Sequence, residues 1–163
     1  PSLRPIGRNE PVIVDYVFAY QGYISDHTRV FAVGGVPDKL QRAHRAMLQI
    51  QKRIKTEARA GVRSGDIYDI ATNLAEELGY GKHFMGSGPH RIRFTGHGIG
   101  LELDEFPFLA KGQDLRLEEN MVIAFEPKLI FPGVGVVGIE NSHVVTKDGL
   151  RQLGRFEEDI VEV

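Results

Sequence analysis

Two apolar segments of the chain, Met121-Val122-Ile123-Ala124-Phe125-Glu126 and Val136-Val137-Gly138-Ile139-Glu140, each end on a carboxylate. A third segment, Val12-Ile13-Val14-Asp15, has the same form. A carboxylate inside a strand-like apolar run is costly to desolvate unless a cation meets it. Taken with Asp26 and His97, the three acids suggest one shared cation, because a metal ion gathers several carboxylates without many arginines.

The composition limits the kind of protein. The chain has 163 residues, a formal net charge of −2 and no cysteine. This length fits one domain, which we predict to span residues 1–163. Interspersed charges and the lack of a long apolar run argue against nucleic-acid and membrane partners. The absence of cysteine excludes disulfides and thiolate metal ligands, and with no visible signal peptide it favours a cytoplasmic location.

The first acidic segment is expected to form a hairpin. Residues 11–18 are rich in Val and Ile and predict a strand, and a second strand is expected through about Val33. If Tyr20-Gln21 is a two-residue loop, residues whose numbers sum to 41 face each other. Asp15 and Asp26 would then lie side by side on one face.

A second hairpin is expected to repeat this arrangement. Residues 120–131 and 134–146 predict two strands around Pro132-Gly133. Glu126 and Glu140 each lie seven residues from Gly133, so a loop centred there would make them opposite partners.

Two helices are predicted between the hairpins. Asp38 and Gln41 have the form of a capping box, and a helical apolar period continues to about Ala60. A second helix should end near Leu78, just before a glycine-rich loop over residues 79–91. Two further expectations are a surface position for His44 on the first helix and a last short strand near Ile160-Val161.

Each candidate residue also has an ordinary structural explanation. Asp15 could be satisfied by backbone groups near a turn, Asp26 could form a surface ion pair with Arg29, and Glu126 could simply end a strand. Gly96-His97-Gly98-Ile99-Gly100 is by itself a weak motif. The joint pattern favours a metal site, and four carboxylates with one imidazole suit one or two ions of Mn, Co, Fe or Zn.

These motifs resemble those of the pita-bread (creatinase/aminopeptidase) metallopeptidases. The first metal-binding stretch of that family, in the form found in its Xaa-Pro dipeptidase and aminopeptidase P branch, is resembled by Gly22-Tyr23-Ile24-Ser25-Asp26-His27-Thr28-Arg29. Residues 95–102 resemble the histidine motif, residues 121–127 the first glutamate motif and residues 138–141 the last.

The resemblance implies an α+β pita-bread fold, a curved antiparallel sheet with helices on its outer face. Part of the first half is expected to be missing, so that the chain would be a partial catalytic domain. Five residues carry over as ligands of two divalent ions, with Mn or Co favoured over Zn or Fe: Asp15, Asp26, His97, Glu126 and Glu140.

The resemblance also implies an activity. A metal-bridging hydroxide would cleave an N-terminal residue from a peptide substrate, at Xaa-Pro bonds above all. Glu126 would serve as both ligand and proton shuttle. A homodimer is a further expectation, as is a partner chain that covers exposed sheet surface.

Several positions depart from the family pattern. Asp104 stands where a second histidine is usual, and it is kept with Glu126 and His97 as a catalytic candidate although a carboxylate cannot donate a hydrogen bond at neutral pH. Arg93 replaces another histidine, for which His90 could substitute. Gly138 replaces an arginine, and Val17 replaces a glycine.

Three other functions remain open at this point. A methionine aminopeptidase would share the fold and the ligands. A non-hydrolytic pita-bread binding module would explain the altered residues around the site, although it would not need all five ligands. A non-peptidase enzyme on the same scaffold is also compatible, because a fold does not fix a function.

Overall fold

The computed structural model of the chain describes residues 3–163, apart from the side chain of His90. Within these residues the fold consists of two α-helices, a short 3-10 helix (Gly88–His90) and nine strands. The helices are α1 (Asp38–Glu57) and α2 (Ser64–Glu77). The strands are β1 (Val12–Tyr20), β2 (Tyr23–Ala32), β3 (Gly96–Gly98), β4 (Val122–Phe125), β5 (Lys128–Phe131), β6 (Gly135–Gly138), β7 (Asn141–Val145), β8 (Leu150–Gln152) and β9 (Val161–Glu162).

The predicted helices are confirmed, with differences at their ends. α1 buries Leu40, Met47 and Ile50 against the core at the helical spacing expected for an amphipathic helix. The predicted capping box is wrong, because Pro37 precedes the first turn and no side chain caps it. A proline is tolerated at this N-cap position because an N–H there would have no partner within the helix, while its carbonyl oxygen accepts from the N–H groups of Leu40 and Gln41.

The predicted surface position of His44 is also wrong. Its side chain is 2% exposed, and Nε2 lies 2.7 Å from the carbonyl oxygen of Glu158. The C-terminal segment covers this part of α1, which the helical period alone could not reveal.

The first hairpin has a register different from the predicted one. The loop is Gln21-Gly22, both with positive φ (51° and 86°), and Val17 pairs with Asp26, so paired numbers sum to 43 instead of 41. Positive φ at both central positions is the type I′ arrangement that suits a right-twisted hairpin. Because the register changes by two residues, an even number, Asp15 and Asp26 stay on one face of the hairpin. They are diagonal neighbours and not opposite partners, since Asp15 pairs with Thr28.

The second hairpin follows the predicted register. β4 pairs with β7 and β5 with β6, and in both pairs the numbers sum to 266, as in Phe125 with Asn141. Each predicted long strand is nevertheless interrupted, between β4 and β5 and between β6 and β7. The breaks fall at Glu126-Pro127 and, on the facing side, at Ile139-Glu140. Pro127, which would stand opposite Ile139, has no N–H to donate to a sheet.

The strands form three small sheets, which together with the two helices give the predicted α+β class. Their strand orders are β1-β2-β9, β3-β4-β7-β8 and β5-β6. Pairing is antiparallel except between β2 and β9. A backbone bridge between Thr28 and Glu140 joins the first hairpin to the second. The predicted last strand is confirmed as β9.

The core lies between the helices and the second hairpin. Its largest fully buried side chains include Ile54, Ile67, Ile123, Phe125 and Leu129. Over residues 3–163, no helix is long and apolar enough to cross a membrane.

Candidate metal centre

The five predicted ligands come from five different places in the fold. Asp15 lies on β1, Asp26 on β2 and His97 on β3. Glu126 and Glu140 occupy the two interruptions of the second hairpin. The hairpins and β3 thus bring residues up to 125 positions apart in sequence to one region.

Three of these side chains form a close group of potential ligand atoms. One atom each from Asp26, His97 and Glu140 lies within 4.8 Å of the others, and all three residues are buried. Oδ1 of Asp26 is buried and has no hydrogen-bond partner. A buried polar oxygen without a partner is rare in folded proteins. The donor set of two carboxylates and an imidazole therefore fits a divalent cation.

The electrostatics of the group also favour a cation. Burial raises the pKa of Asp26 to about 6, and the charges of Asp15 and Glu126 contribute. Burial raises the pKa of Glu140 to about 8, with further increases from Glu126 and Asp26. Crowded, buried carboxylates take up protons because their charged forms are poorly solvated, and a metal ion would replace those protons.

The two glutamates present their oxygens in the same way. Oε1 of Glu126 is 3.8 Å and Oε1 of Glu140 is 3.9 Å from Nε2 of His97. The second oxygen of each is held elsewhere: Thr28 donates to Oε2 of Glu140 at 2.8 Å, and Nζ of Lys128 lies 2.5 Å from Oε2 of Glu126. One oxygen of each carboxylate therefore faces the imidazole.

The imidazole of His97 is oriented by contacts at Nδ1, the ring nitrogen that does not face the glutamates. Nδ1 lies 3.0 Å from the carbonyl oxygen of Gly98 and 3.3 Å from Oδ1 of Asp104. With the proton on Nδ1, Nε2 has a free lone pair directed at the glutamates, as in metal-binding histidines whose far nitrogen meets a carboxylate. Asp104 contacts the histidine, and its side chain is 54% exposed.

Asp15 does not occupy the buried position that its apolar neighbours suggest. Its side chain is exposed, and so is the rest of β1 from Val14 onward. β1 pairs only with β2 among the described residues, so its outer edge and much of its surface remain uncovered. The desolvation argument therefore holds for Glu126 and Glu140 but is wrong for Asp15, which still adds negative charge beside Asp26.

Three residues around the group have contacts that the sequence did not predict. Thr28 and Lys128 hold the two glutamates, as described above. Arg29, which is 4% exposed, does not pair with Asp26; it donates to the carbonyl oxygens of Thr28 and Glu140 and to Oδ1 of Asn141. The sequence signal for Lys128 is its place two residues after Glu126.

The positions that depart from the family pattern have different surroundings. Arg93 is exposed, and Val17, which is 49% exposed, stands opposite Asp26. Gly138 stands opposite Lys128. The suggestion that His90 reaches the site concerns a side chain outside the described residues.

The sequence and the fold are similar to those of known proteins. The sequence profile of metallopeptidase family M24 matches residues 1–147. The chain is 34% identical over 160 residues to a Xaa-Pro dipeptidase of Pyrococcus horikoshii, covering 98% of this chain and 44% of that protein. It is 35% identical over 151 residues to a Xaa-Pro dipeptidase of Lactobacillus delbrueckii subsp. lactis, covering 93% of this chain and 39% of that protein.

A solved structure agrees with these matches. The Xaa-Pro dipeptidase from Bacillus anthracis superposes with a TM-score of 0.89 at 34% identity, covering 99% of this chain and 44% of that one. The chain thus spans less than half the length of the relatives that it matches, and its fold is that of the pita-bread enzymes. From the extent of the profile match, this chain belongs to metallopeptidase family M24.

Proposed function

We propose that the protein containing this chain is a metal-dependent exopeptidase that removes an N-terminal residue from peptides, with a preference for Xaa-Pro bonds. The observation that carries the proposal is the buried, unpartnered Oδ1 of Asp26 within a close group of His97 and Glu140 ligand atoms. The names of the related dipeptidases support the substrate class.

In this proposal two divalent ions, Mn or Co, are held by the five predicted ligands: Asp15, Asp26, His97, Glu126 and Glu140. Such a pair of ions supplies an activated water at neutral pH and polarises a carbonyl. We place Asp26 and Glu140 at the centre of the ligand set, with Asp15 reaching it from the exposed strand.

The chain's own residues would then handle protons and orientation. Oε1 of Glu126 points toward the group and can accept a proton there, because its other oxygen is held by Lys128. Asp104 accepts from Nδ1 of His97 and so keeps Nε2 available, which is an orienting role and not that of a donor to an intermediate.

Peptide hydrolysis tests the proposal. The chain, supplied with Mn²⁺ or Co²⁺, is incubated with Ala-Pro, with Ala-Pro-Ala and with Met-Ala-Ser, and the released amino acid is measured. Cleavage of the proline peptides, lost in Glu126→Gln, is the expected result. Metal binding without cleavage of any peptide would instead favour the binding module, and cleavage of Met-Ala-Ser alone the methionine aminopeptidase alternative.

The remaining sequence-based expectations stay predictions. They are the single domain over residues 1–163, the homodimer and the cytoplasmic location.

A further inference from the structure

Lys128 is a largely shielded cation at the edge of the carboxylate group. It is the first residue of β5 and follows Glu126, which lies in the interruption before that strand, by two positions. Nζ lies 2.5 Å from Oε2 of Glu126, and the two side chains are only 15% and 9% exposed. Ion pairs so shielded from water are much stronger than those at the surface.

The facing strand makes room for this lysine. Lys128 pairs directly with Gly138 on β6, and paired residues in an antiparallel ladder project to the same side. A Cβ on residue 138 would lie 2.6 Å from Cβ of Lys128 and 2.7 Å from the carbonyl oxygen of Pro127. Gly138 therefore leaves this side of the ladder to the lysine, at the position where the sequence resemblance leads one to expect an arginine.

The ammonium group of Lys128 lies against one oxygen of a proposed metal ligand. Its 2.5 Å contact with Oε2 of Glu126 leaves Oε1 as the oxygen of that carboxylate that faces His97, at 3.8 Å from Nε2. The ammonium group therefore occupies the side of the carboxylate from which a cation would take the second oxygen.

We propose that Lys128 is a positioning residue for the metal site: it holds Oε2 of Glu126 and restricts this glutamate to one ligand oxygen, Oε1. The inference rests on the proposed function. Its consequence is that Lys128 weakens metal binding, because its ammonium repels a cation and withholds one oxygen. A lysine with a purely structural role would strengthen or leave unchanged the affinity of the site that it supports.

Metal affinity provides the main test. Kd for Mn²⁺ and for Co²⁺ is measured by calorimetry on the wild-type chain and on Lys128→Met, Lys128→Arg and Lys147→Met. Lys147 is an exposed lysine with a weak ion pair, which makes it a matched control. We expect Lys128→Met to bind about tenfold more tightly, since one repulsive charge and one competitor for Oε2 are lost, and both other variants to stay within about twofold of wild type.

Spectroscopy of bound Co²⁺ adds a readout of coordination. If Glu126 becomes bidentate in Lys128→Met, the visible absorption bands of Co²⁺ should weaken, as they do when coordination number rises. An unchanged or higher Kd in Lys128→Met, with unchanged Co²⁺ bands, overturns the inference.

A measurement without metal covers the case in which Lys128→Met does not fold. Acetylation of individual lysines in the metal-free chain is followed by mass spectrometry. Lys128 should react at least tenfold more slowly than Lys147 and become reactive in Glu126→Gln. Equal reactivity of both lysines in the wild-type chain would contradict the ion pair. No metal binding by the wild-type chain, with Lys128 still protected, would instead contradict the proposed function and leave the ion pair standing.

Discussion

Oγ1 of Thr28 donates a 2.8 Å hydrogen bond to Oε2 of Glu140, across the backbone bridge that links the two residues. Thr28 is 2% exposed, so water cannot replace this donor. The bond orients the carboxylate and opposes the increase of its pKa caused by burial.

Removing the hydroxyl should weaken metal binding. Thr28→Val keeps the shape of the side chain and removes the donor that orients the carboxylate of Glu140 and lowers its pKa. We expect Kd for Mn²⁺ at pH 7 to rise about tenfold, the loss typical for a group that orients a metal ligand. Thr72→Val is the control, because Oγ1 of Thr72 has no hydrogen-bond partner. Equal effects of the two substitutions would contradict the role of Thr28.

The stability of the metal-free chain should fall as pH rises from 7 to 8. Glu140 titrates near 8 in the folded chain and near its ordinary, lower value when unfolded. The folded state therefore binds more protons in this window, and raising pH removes that advantage. We expect a loss of about 1 kcal/mol in the free energy of unfolding, measured in urea.

Two controls identify the group responsible. Glu140→Gln should remove the slope, and saturating Mn²⁺ should suppress it. His143, whose pKa is lowered to about 3 by burial, affects stability only below pH 7, since it loses its contribution as pH falls. A slope of the same size in Glu140→Gln would assign the effect to another group.

Arg29 should matter more for stability than an exposed arginine does. Its guanidinium donates to the buried carbonyl oxygens of Thr28 and Glu140 and to Oδ1 of Asn141. Truncation would remove these charged donors and leave the two carbonyls with only the 3.3 and 3.4 Å backbone bonds that link them. Arg29→Met is expected to cost about 3 kcal/mol. Arg53→Met, which removes an exposed pair with Glu57, should cost about 0.5 kcal/mol or less. Thermal and urea unfolding measure both, and similar losses would refute the assignment.

Asp104 should contribute to metal affinity through His97. Asp104→Leu removes the contact with Nδ1, leaving only the Gly98 carbonyl to orient the ring. Metal affinity should fall about tenfold, with Asp104→Asn closer to wild type because it keeps an acceptor. Asp114→Asn, at a side chain that is 87% exposed, is the control. An unaltered Kd in Asp104→Leu would show that Gly98 is sufficient.

The second hairpin could be predicted from the sequence because Gly133 marks its centre. That centre sets one register for both strand pairs and places Glu126 opposite Glu140. The predicted register of the first hairpin is wrong because it places the loop at Tyr20-Gln21. Gly22, which readily takes a positive φ, was the available signal for Gln21-Gly22.

The burial of individual residues and their contacts with residues distant in sequence were harder to predict. The pattern of β1 is the same for a covered and an uncovered strand, so the exposure of Asp15 could not be read from it. His44 is covered by Glu158, which lies 114 residues away in sequence. Arg29, three residues after Asp26, suggested a local ion pair, whereas it donates to Glu140 and Asn141, which lie 111 and 112 residues away in sequence.

Metal content is the most direct test of the central claim. The chain is purified without chelator, supplied with Mn²⁺ or Co²⁺, desalted and measured by inductively coupled plasma mass spectrometry. Asp26→Asn and Glu126→Gln are compared with Asp38→Asn, a surface control at the start of α1. The account predicts about two ions per wild-type and control chain and a loss of metal in both site variants. A folded wild-type chain that retains no metal, or site variants that retain as much as the control, would contradict it.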